Sequence, residues 1–545
     1  MLRTVPVLAL VLLVSTAHAD PILYATAATT GEISSYCINP DGSFQPNPTQ
    51  RINTIGNSPS RLVLLTTQPD PAAPPKQFLY SAENDRVEVF LIGPGGSLTR
   101  QGRIPRQPVP SDPSMGLTAM NAHDIEVVQA PDGSGPLLYT PERGDNRIAA
   151  FTLDPATGLS TVPIEGFRCV GGVANGSRCD PTNPATCPST AKSTSTCEFG
   201  PVTDAIGSSC VLGPSPAEWE DVLAANGVLY AARSTSLGEA IVYALNPDGN
   251  FANGVIVVNE TIGVGTNPTQ CANGNCDQSN KVYPVDSITC TTPIVLTDNQ
   301  GNTIVNTGGA PVTKRAQIQP YSIRRRLNGI SSLILDGDIL YVSERFRKAI
   351  SAFQLCPNSF TPKCTVTPLA GVPNDPCPAG GFFASPKLNK ANPPVCTDRF
   401  RQPRLAKKGG RTESNIRYNV IVLAQGANAT TILGSQFNQG RIDGYRLRDG
   451  NLLPAEPTFR TKKDFRTSPF RMFVYRPTSL DPAESAGVLY VGSGAGDRVQ
   501  AFQLNRDGLP RDVNPFSQTT VLRNTFPNDV IVVDLPGSCA SAPPP

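Results

Sequence analysis

The sequence predicts an all-β fold, a closed seven-bladed β-propeller, on three observations. A strand–turn–strand pattern recurs along the chain, turn-forming residues are abundant, and the C-terminal apolar segment has no partner of its own. The pattern reads ILYATAATTGEISSYCI, FLYSAENDRVEVFLI, LLYTPERGDNRIAAFTL, VLYAARSTSLGEAIVYAL, ILYVSERFRKAISAFQL and VLYVGSGAGDRVQAFQL. A degenerate copy, VIVLAQGANATTILGSQFNQGRIDGYRL, precedes the last. Each copy is an apolar strand, a polar turn and a second strand carrying an aromatic in register: Tyr36, Phe90, Phe151, Tyr243, Phe353, Tyr445 and Phe502.

Turn signals follow most copies, such as NPDG at 39–42 and 246–249, GPGG at 93–96 and NRDG at 505–508. A further short strand precedes most copies: SPSRLVLL, NAHDIEVV, GISSLIL and SPFRMFVY. An outer strand after each turn completes a four-stranded blade. Neighbouring blades cover both faces of a blade, which explains why the aromatic strand is apolar on both parities. The first copy begins at Ile22 with no strand before it, and the tail PNDVIVVDL has no copy after it. That tail is expected to pair beside Ile22–Tyr24 and close the ring, leaving no long free sheet edge. An open stack or a β-sandwich pair is the competing arrangement.

Composition agrees with a turn-rich β protein. Charged residues make up only 17%, Pro and Gly number 54 and 47, and Trp occurs once. The net charge of +2 gives no global argument for a nucleic-acid or membrane-surface partner, and none is expected. Residues 1–19 read as a secretory signal: Arg3, an apolar run from Val5 to Val14, then Ala17-His18-Ala19 as a small-x-small cleavage site. That run is too short to span a bilayer, and no later segment is long and apolar enough. The mature chain, from about Asp20, is expected to be exported to the periplasm or the extracellular space, as a monomer. Its 14 cysteines, an even number, point to disulfides.

Successive aromatics lie 54, 61, 92, 110, 92 and 57 residues apart, while a blade needs about 40–50. Within a single domain over 20–539, insertions are therefore expected at about 165–213, 262–325 and 356–400, with 540–545 a disordered tail. They hold five, three and four cysteines; the odd counts imply at least one bridge between the first two insertions. Cys37 and Cys539 remain, and a bridge there would lock the ring, although sequence leaves connectivity open.

His123 is the only histidine after the leader, and it opens an inner strand. It is expected on the rim beside the central channel. Arg61, Asp124, Glu218, Arg404, Arg471 and Asp529 start their own inner strands and are expected there too. The turns carrying Glu142, Arg143, Glu344 and Arg345 reach the same rim, and the three insertions are expected to roof it. A mixed-charge mouth under stapled loops reads as a ligand site.

The repeat, and NAHDIEVVQAPDGSGPLLYTPERGDNRI in particular, resembles the seven-bladed lactonase propellers, which include phosphogluconolactonases and carboxymuconate cyclases. His123, Pro131-Asp132-Gly133 and Leu138-Tyr139 carry the likeness. YVSERFRKAISAF is similar to another family segment and would place Arg345 at the position of a family arginine near the active site. The likeness covers about 330 residues of blade sequence and none of the insertions. The family's GPRH segment and following glutamate have no counterpart here; the equivalents read SPAEWEDV and YAARS.

Two function classes stay open. One is a binding or interaction scaffold, with a small lactone or carbohydrate, a protein or a cell surface as partner at the rim. The other is a lactone hydrolase with His123 as general base and Arg345 or Arg143 holding the oxyanion. A lone His beside Asp124 equally reads as a structural hydrogen-bonding residue at a strand start. No cofactor is expected: one histidine makes no multi-His metal site, and Cys271 and Cys276 have no matching second pair for zinc. The basic stretches IRRR (323–326), RQPRLAKKGGR (401–411) and RTKKDFR (460–466) read as a solvated face, or as a site for an anionic polysaccharide. Asn175, Asn259 and Asn428 stand in glycosylation sequons.

Overall fold

A computed structural model describes residues 19–105, 124–170, 196–201, 209–212, parts of 219–354, and 418–539, apart from short gaps. Among the described residues, six four-stranded antiparallel sheets and one three-stranded sheet stand in a β-propeller arrangement. Their innermost strands are Val530–Pro536, Arg61–Thr67, Glu126–Gln129, Trp219–Ala225, Ile330–Asp336, Tyr418–Gln425 and Pro469–Tyr475. These strands touch one another in that order, and the last touches the first. The sheets are numbered below in the same order. The fifth is the three-stranded one, Ile330–Asp336, Ile339–Glu344 and Ala349–Gln354. No helix among the described residues is long and apolar enough to cross a membrane.

The ends of the chain meet in the first sheet, as the unpartnered tail implied. Ala19–Ala27 pairs antiparallel with Val530–Pro536, setting Ile22 opposite Val533, Leu23 opposite Val532 and Tyr24 opposite Ile531. All six side chains are buried. A disulfide joins Cys37 to Cys539 across 502 residues of sequence, with Cα atoms 5.8 Å apart.

The repeated Leu-Tyr pair has a packing reason. In four sheets its tyrosine crosses to the next sheet and donates to a turn glycine carbonyl: Tyr24 to Gly96 at 2.8 Å, Tyr80 to Gly158 at 2.6 Å, Tyr139 to Gly249 at 2.5 Å and Tyr490 to Gly42 at 2.9 Å. A buried phenol needs such a partner. The last of these bonds runs from the seventh sheet to the first. Gly42 and Gly96 have φ of +85° and +70°, which favours glycine, and a Cβ on Gly96 would overlap Ile22.

The insertions depart from expectation. The outer strands of the third and fourth sheets, Ser209–Leu212 and Tyr321–Ile323, lie at the ends of the ranges 165–213 and 262–325 expected as insertions, with the inserted residues before them. Those insertions thus fall between the third and fourth strands of a sheet. Strands alternate in direction, so that connection lies on the rim opposite the inner-strand starts. The first two insertions therefore do not leave from the rim where His123 was expected. These outer strands are short, four and three residues, so their sequence signal is weak. The hairpin Glu165–Val170 with Thr196–Pro201 belongs to the first insertion, and Pro293–Val295 with Thr313–Arg315 to the second. The third insertion, 356–400, lies outside the described residues.

Candidate functional site

The innermost strand of each sheet has an edge facing the axis, where no further strand can accept its N–H groups. Buried N–H groups need acceptors. Side chains at the strand starts supply them from the preceding sheet. Asp529 accepts from the Leu62 N–H at 2.7 Å, Asp124 from Val222 at 3.1 Å and Asp221 from Leu333 at 2.6 Å. The Ser332 hydroxyl does the same for Ile421 at 3.5 Å.

These bonds define one level of the ring, Asp529, Arg61, Asp124, Asp221, Ser332 and Val420 in sheet order, and the ion pair of Arg471 with Asp124 adds Arg471 from the seventh sheet. Charged members of that level converge across the axis. Arg61 Nε lies 2.9 Å from Asp124 Oδ1, and its Nη1 lies 3.6 Å from Asp529 Oδ2. Arg471 Nη2 lies 3.3 Å from the same Asp124 Oδ1. Asp124, Asp221, Arg471 and Asp529 are all buried, while Arg61 is partly exposed.

Electrostatics sort these carboxyls. Burial alone would raise Asp124, but Arg61 and Arg471 outweigh it and hold the group below the usual carboxylate range. Asp221 is hydrogen-bonded to Asp124; burial and that neighbouring charge push it far up, so it keeps the proton of the pair. Burial also raises Asp529, against the pull of Arg61 and Arg471.

Two residues further along each inner strand the wall changes character. The equivalent positions hold Ile531, Val63, Glu126, Leu223, Ile334, Val422 and Phe473. All except Ile531 are partly exposed, so they line the bore. Glu126 is the one carboxyl at this level. Among these apolar neighbours the carboxyl is poorly hydrated, and this desolvation pushes Glu126 up to about 8. Asp124 adds to the rise and Arg61 opposes it. Near the far ends of these strands Thr66, Gln129, Gln425 and Asp534 are exposed. The charged level thus lies at the inner-strand starts, and these exposed side chains lie at the opposite ends of the same strands.

Arg61, Asp124, Arg471 and Asp529 were expected near one another, and the structure brings them together, all buried except the partly exposed Arg61. Arg345 stands at the same end of the ring, with Nη1 3.5 Å from Glu220 Oε1. Glu344 beside it is buried. Glu142 ends the strand Pro136–Glu142, in register with Arg147. His123, Arg143, Glu218 and Arg404 lie outside the described residues. Sequence reading missed Asp221 and Glu126. Asp-Val and Asp-Ile at three inner-strand starts (Asp124-Ile125, Asp221-Val222, Asp529-Val530) were the available signal for the first. For the second it was a lone charge inside DIEVV, where other copies read LVLL, LIL or IVV. A separate cleft of about 280 Å³ between the sixth and seventh sheets, lined by Arg441, Thr461, Lys462 and Gln500 among others, lies away from the axis.

No protein-family model matches the chain, and no curated protein matches it. Among solved structures, a periplasmic gluconolactonase of Pseudomonas aeruginosa is similar at 12% identity over 95% of this chain and 99% of that one, with a TM-score of 0.46. A protein from Lactobacillus plantarum is similar at 10% identity over 95% of this chain and 100% of that one, with a TM-score of 0.47. A putative 6-phosphogluconolactonase from Bacteroides fragilis is similar at 12% identity over 83% of this chain and 97% of that one, with a TM-score of 0.34.

Proposed function

We propose that the chain is an exported, lactonase-like propeller of seven blades that acts mainly as a binding scaffold. One observation carries this reading: the charges gathered at the axis are spent on one another and on backbone N–H groups. Arg61 and Arg471 share Asp124, Arg61 also faces Asp529, and Arg345 faces Glu220. A cation already facing a carboxylate is poorly placed to stabilise a developing oxyanion. The recognition surface is then the rim that bears the insertions, together with the bore that opens there. The leader-like first 19 residues and the Cys37–Cys539 disulfide support export.

A second reading keeps His123 as the base of a lactone hydrolase. It draws on Asp124, fixed by two guanidiniums and the Val222 N–H, which holds the chain immediately after His123. Acid release from simple γ- and δ-lactones separates the two. The scaffold reading expects no turnover above the uncatalysed rate. Turnover by the wild-type protein that a folded His123→Ala variant loses would establish the hydrolase instead.

A further inference from the structure

We propose that the axial bore is a binding site for a small primary ammonium carrying an apolar tail, with the Glu126 carboxylate as its counter-ion. The inference rests on the scaffold reading and names a ligand class for it. Three observations meet here. The level that holds Glu126 is otherwise apolar: Val63, Leu223, Ile334, Val422, Phe473 and Ile531 occupy the equivalent positions. At the inner-strand starts the same strands carry the ion pairs of Arg61 and Arg471 with Asp124, so the apolar level is bounded on that side by polar groups already paired with one another. Its other end is lined by the exposed Thr66, Gln129, Gln425 and Asp534, so a ligand has a way in.

The choice of ligand follows from charge. The groups felt by Glu126 are Arg61, Asp124 and the Tyr139 phenol. Arg61 is offset by Asp124 and Asp529 and offers an anion little. A carboxylate ligand would meet Asp124 as a like charge, and Glu126 too once that group ionises. A neutral alkyl ligand would fill the wall and leave the carboxyl in apolar surroundings without a partner, which costs free energy. An alkylammonium satisfies both, its tail on the wall and its head on the carboxylate. Glu126 holds its proton near neutral pH, so binding there releases one proton as the ammonium takes its place.

The full-length mature protein can be tested by calorimetry with n-hexylammonium, n-hexanoate and 1-hexanol as probes, at pH 7 in two buffers of different ionisation heat. Hexylammonium is expected to bind about tenfold or more tighter than either other probe, with proton release, and more tightly at pH 9 than at pH 6. Glu126→Gln should bring hexylammonium down to the hexanol level while hexanol itself is unchanged. Ile334→Trp, which fills the bore, should weaken both. Equal binding of hexylammonium and hexanol, tighter binding of hexanoate, or no binding of any probe at millimolar concentration overturns the proposal. If Glu126→Gln fails to fold, the probe ranking and pH trend of the wild type decide alone. A failure here leaves the lactone assay, and with it the scaffold reading, standing.

Discussion

Arg471 Nη2 sits 3.3 Å from Asp124 Oδ1, joining the last inner strand to the third across the axis and across 347 residues of sequence. The ring is thus tied through its centre as well as around its circumference. Asp124 also faces Arg61 and accepts the Val222 N–H, so one buried carboxylate serves groups from three other sheets. Its removal takes the carboxylate from the buried Arg471 and leaves Arg61 with Asp529 alone. Asp124→Ala is expected to destabilise the protein by about 3–5 kcal/mol, and Asp124→Asn, which can still accept the N–H, by less. Urea unfolding checks this; a midpoint unchanged in Asp124→Ala would show that the layer is hydrated and worth little.

The tyrosine-to-glycine bonds between sheets yield a graded pair of predictions. Tyr80→Phe loses the 2.6 Å bond to the Gly158 carbonyl and should cost about 1 kcal/mol. Gly158→Ala should cost more, about 1–3 kcal/mol, because φ is +71° there and a Cβ would come 2.8 Å from the Phe78 ring. The two residues share one contact, so the double variant should be less than additive. Additive losses in thermal unfolding would mean that turn and hydroxyl act independently.

Stability should fall as pH rises through the neutral range. Glu126 is raised in the fold, to about 8, above an unfolded value near 4.5. Its contribution is therefore fully present below about 4.5 and is lost as pH climbs through 8. Asp221 and Asp529, also raised, act in the same sense. Asp124 is lowered, so its contribution is present above the ordinary aspartate value and lost in acid. Glu126 alone sets a slope of at most about 1.4 kcal/mol per pH unit. Glu126→Gln should flatten the decline between pH 5 and 8; an identical decline in that variant would remove Glu126 as its source.

Ring closure was legible because the strand pattern is dense: Ile22–Tyr24 lacks a partner at one end of the chain and DVIVV lacks one at the other. The tyrosine bonds were half-legible, since the Leu-Tyr pairs and the NPDG and NRDG turns were visible but their link across sheets was not. Asp221 escaped because the inner strand was started at Glu218, and a shift of register hides which acid meets the next sheet. The placement of the insertions failed for a different reason. Ser209–Leu212 and Tyr321–Ile323 are short outer strands, and nothing in their composition ties them to sheets that begin at Glu126 and Trp219, about 80 and 100 residues earlier.

The Cys37–Cys539 bridge should matter most for the order in which the ring opens. The tail strand Val530–Pro536 is held by its ladder to Ala19–Ala27, by Asp529 accepting the Leu62 N–H, and by the Tyr475 hydroxyl on Asp534. Those contacts survive reduction, so the reduced protein is expected to fold. It loses a cross-link over 502 residues, and in the chain-entropy model the gain of the unfolded state on reduction grows with loop length. Cys37→Ser is expected to lower stability by about 2–5 kcal/mol, and the double variant with Cys539→Ser should match it within about 0.5 kcal/mol, since either removes the same bond. Hydrogen exchange should then locate the effect: amides of Val530 to Leu535 should lose protection first, ahead of the inner strands Arg61–Thr67 and Pro469–Tyr475. Uniform loss of protection over all sheets would instead mean that the ring opens only by global unfolding, and that its closing strand is no weaker than the rest.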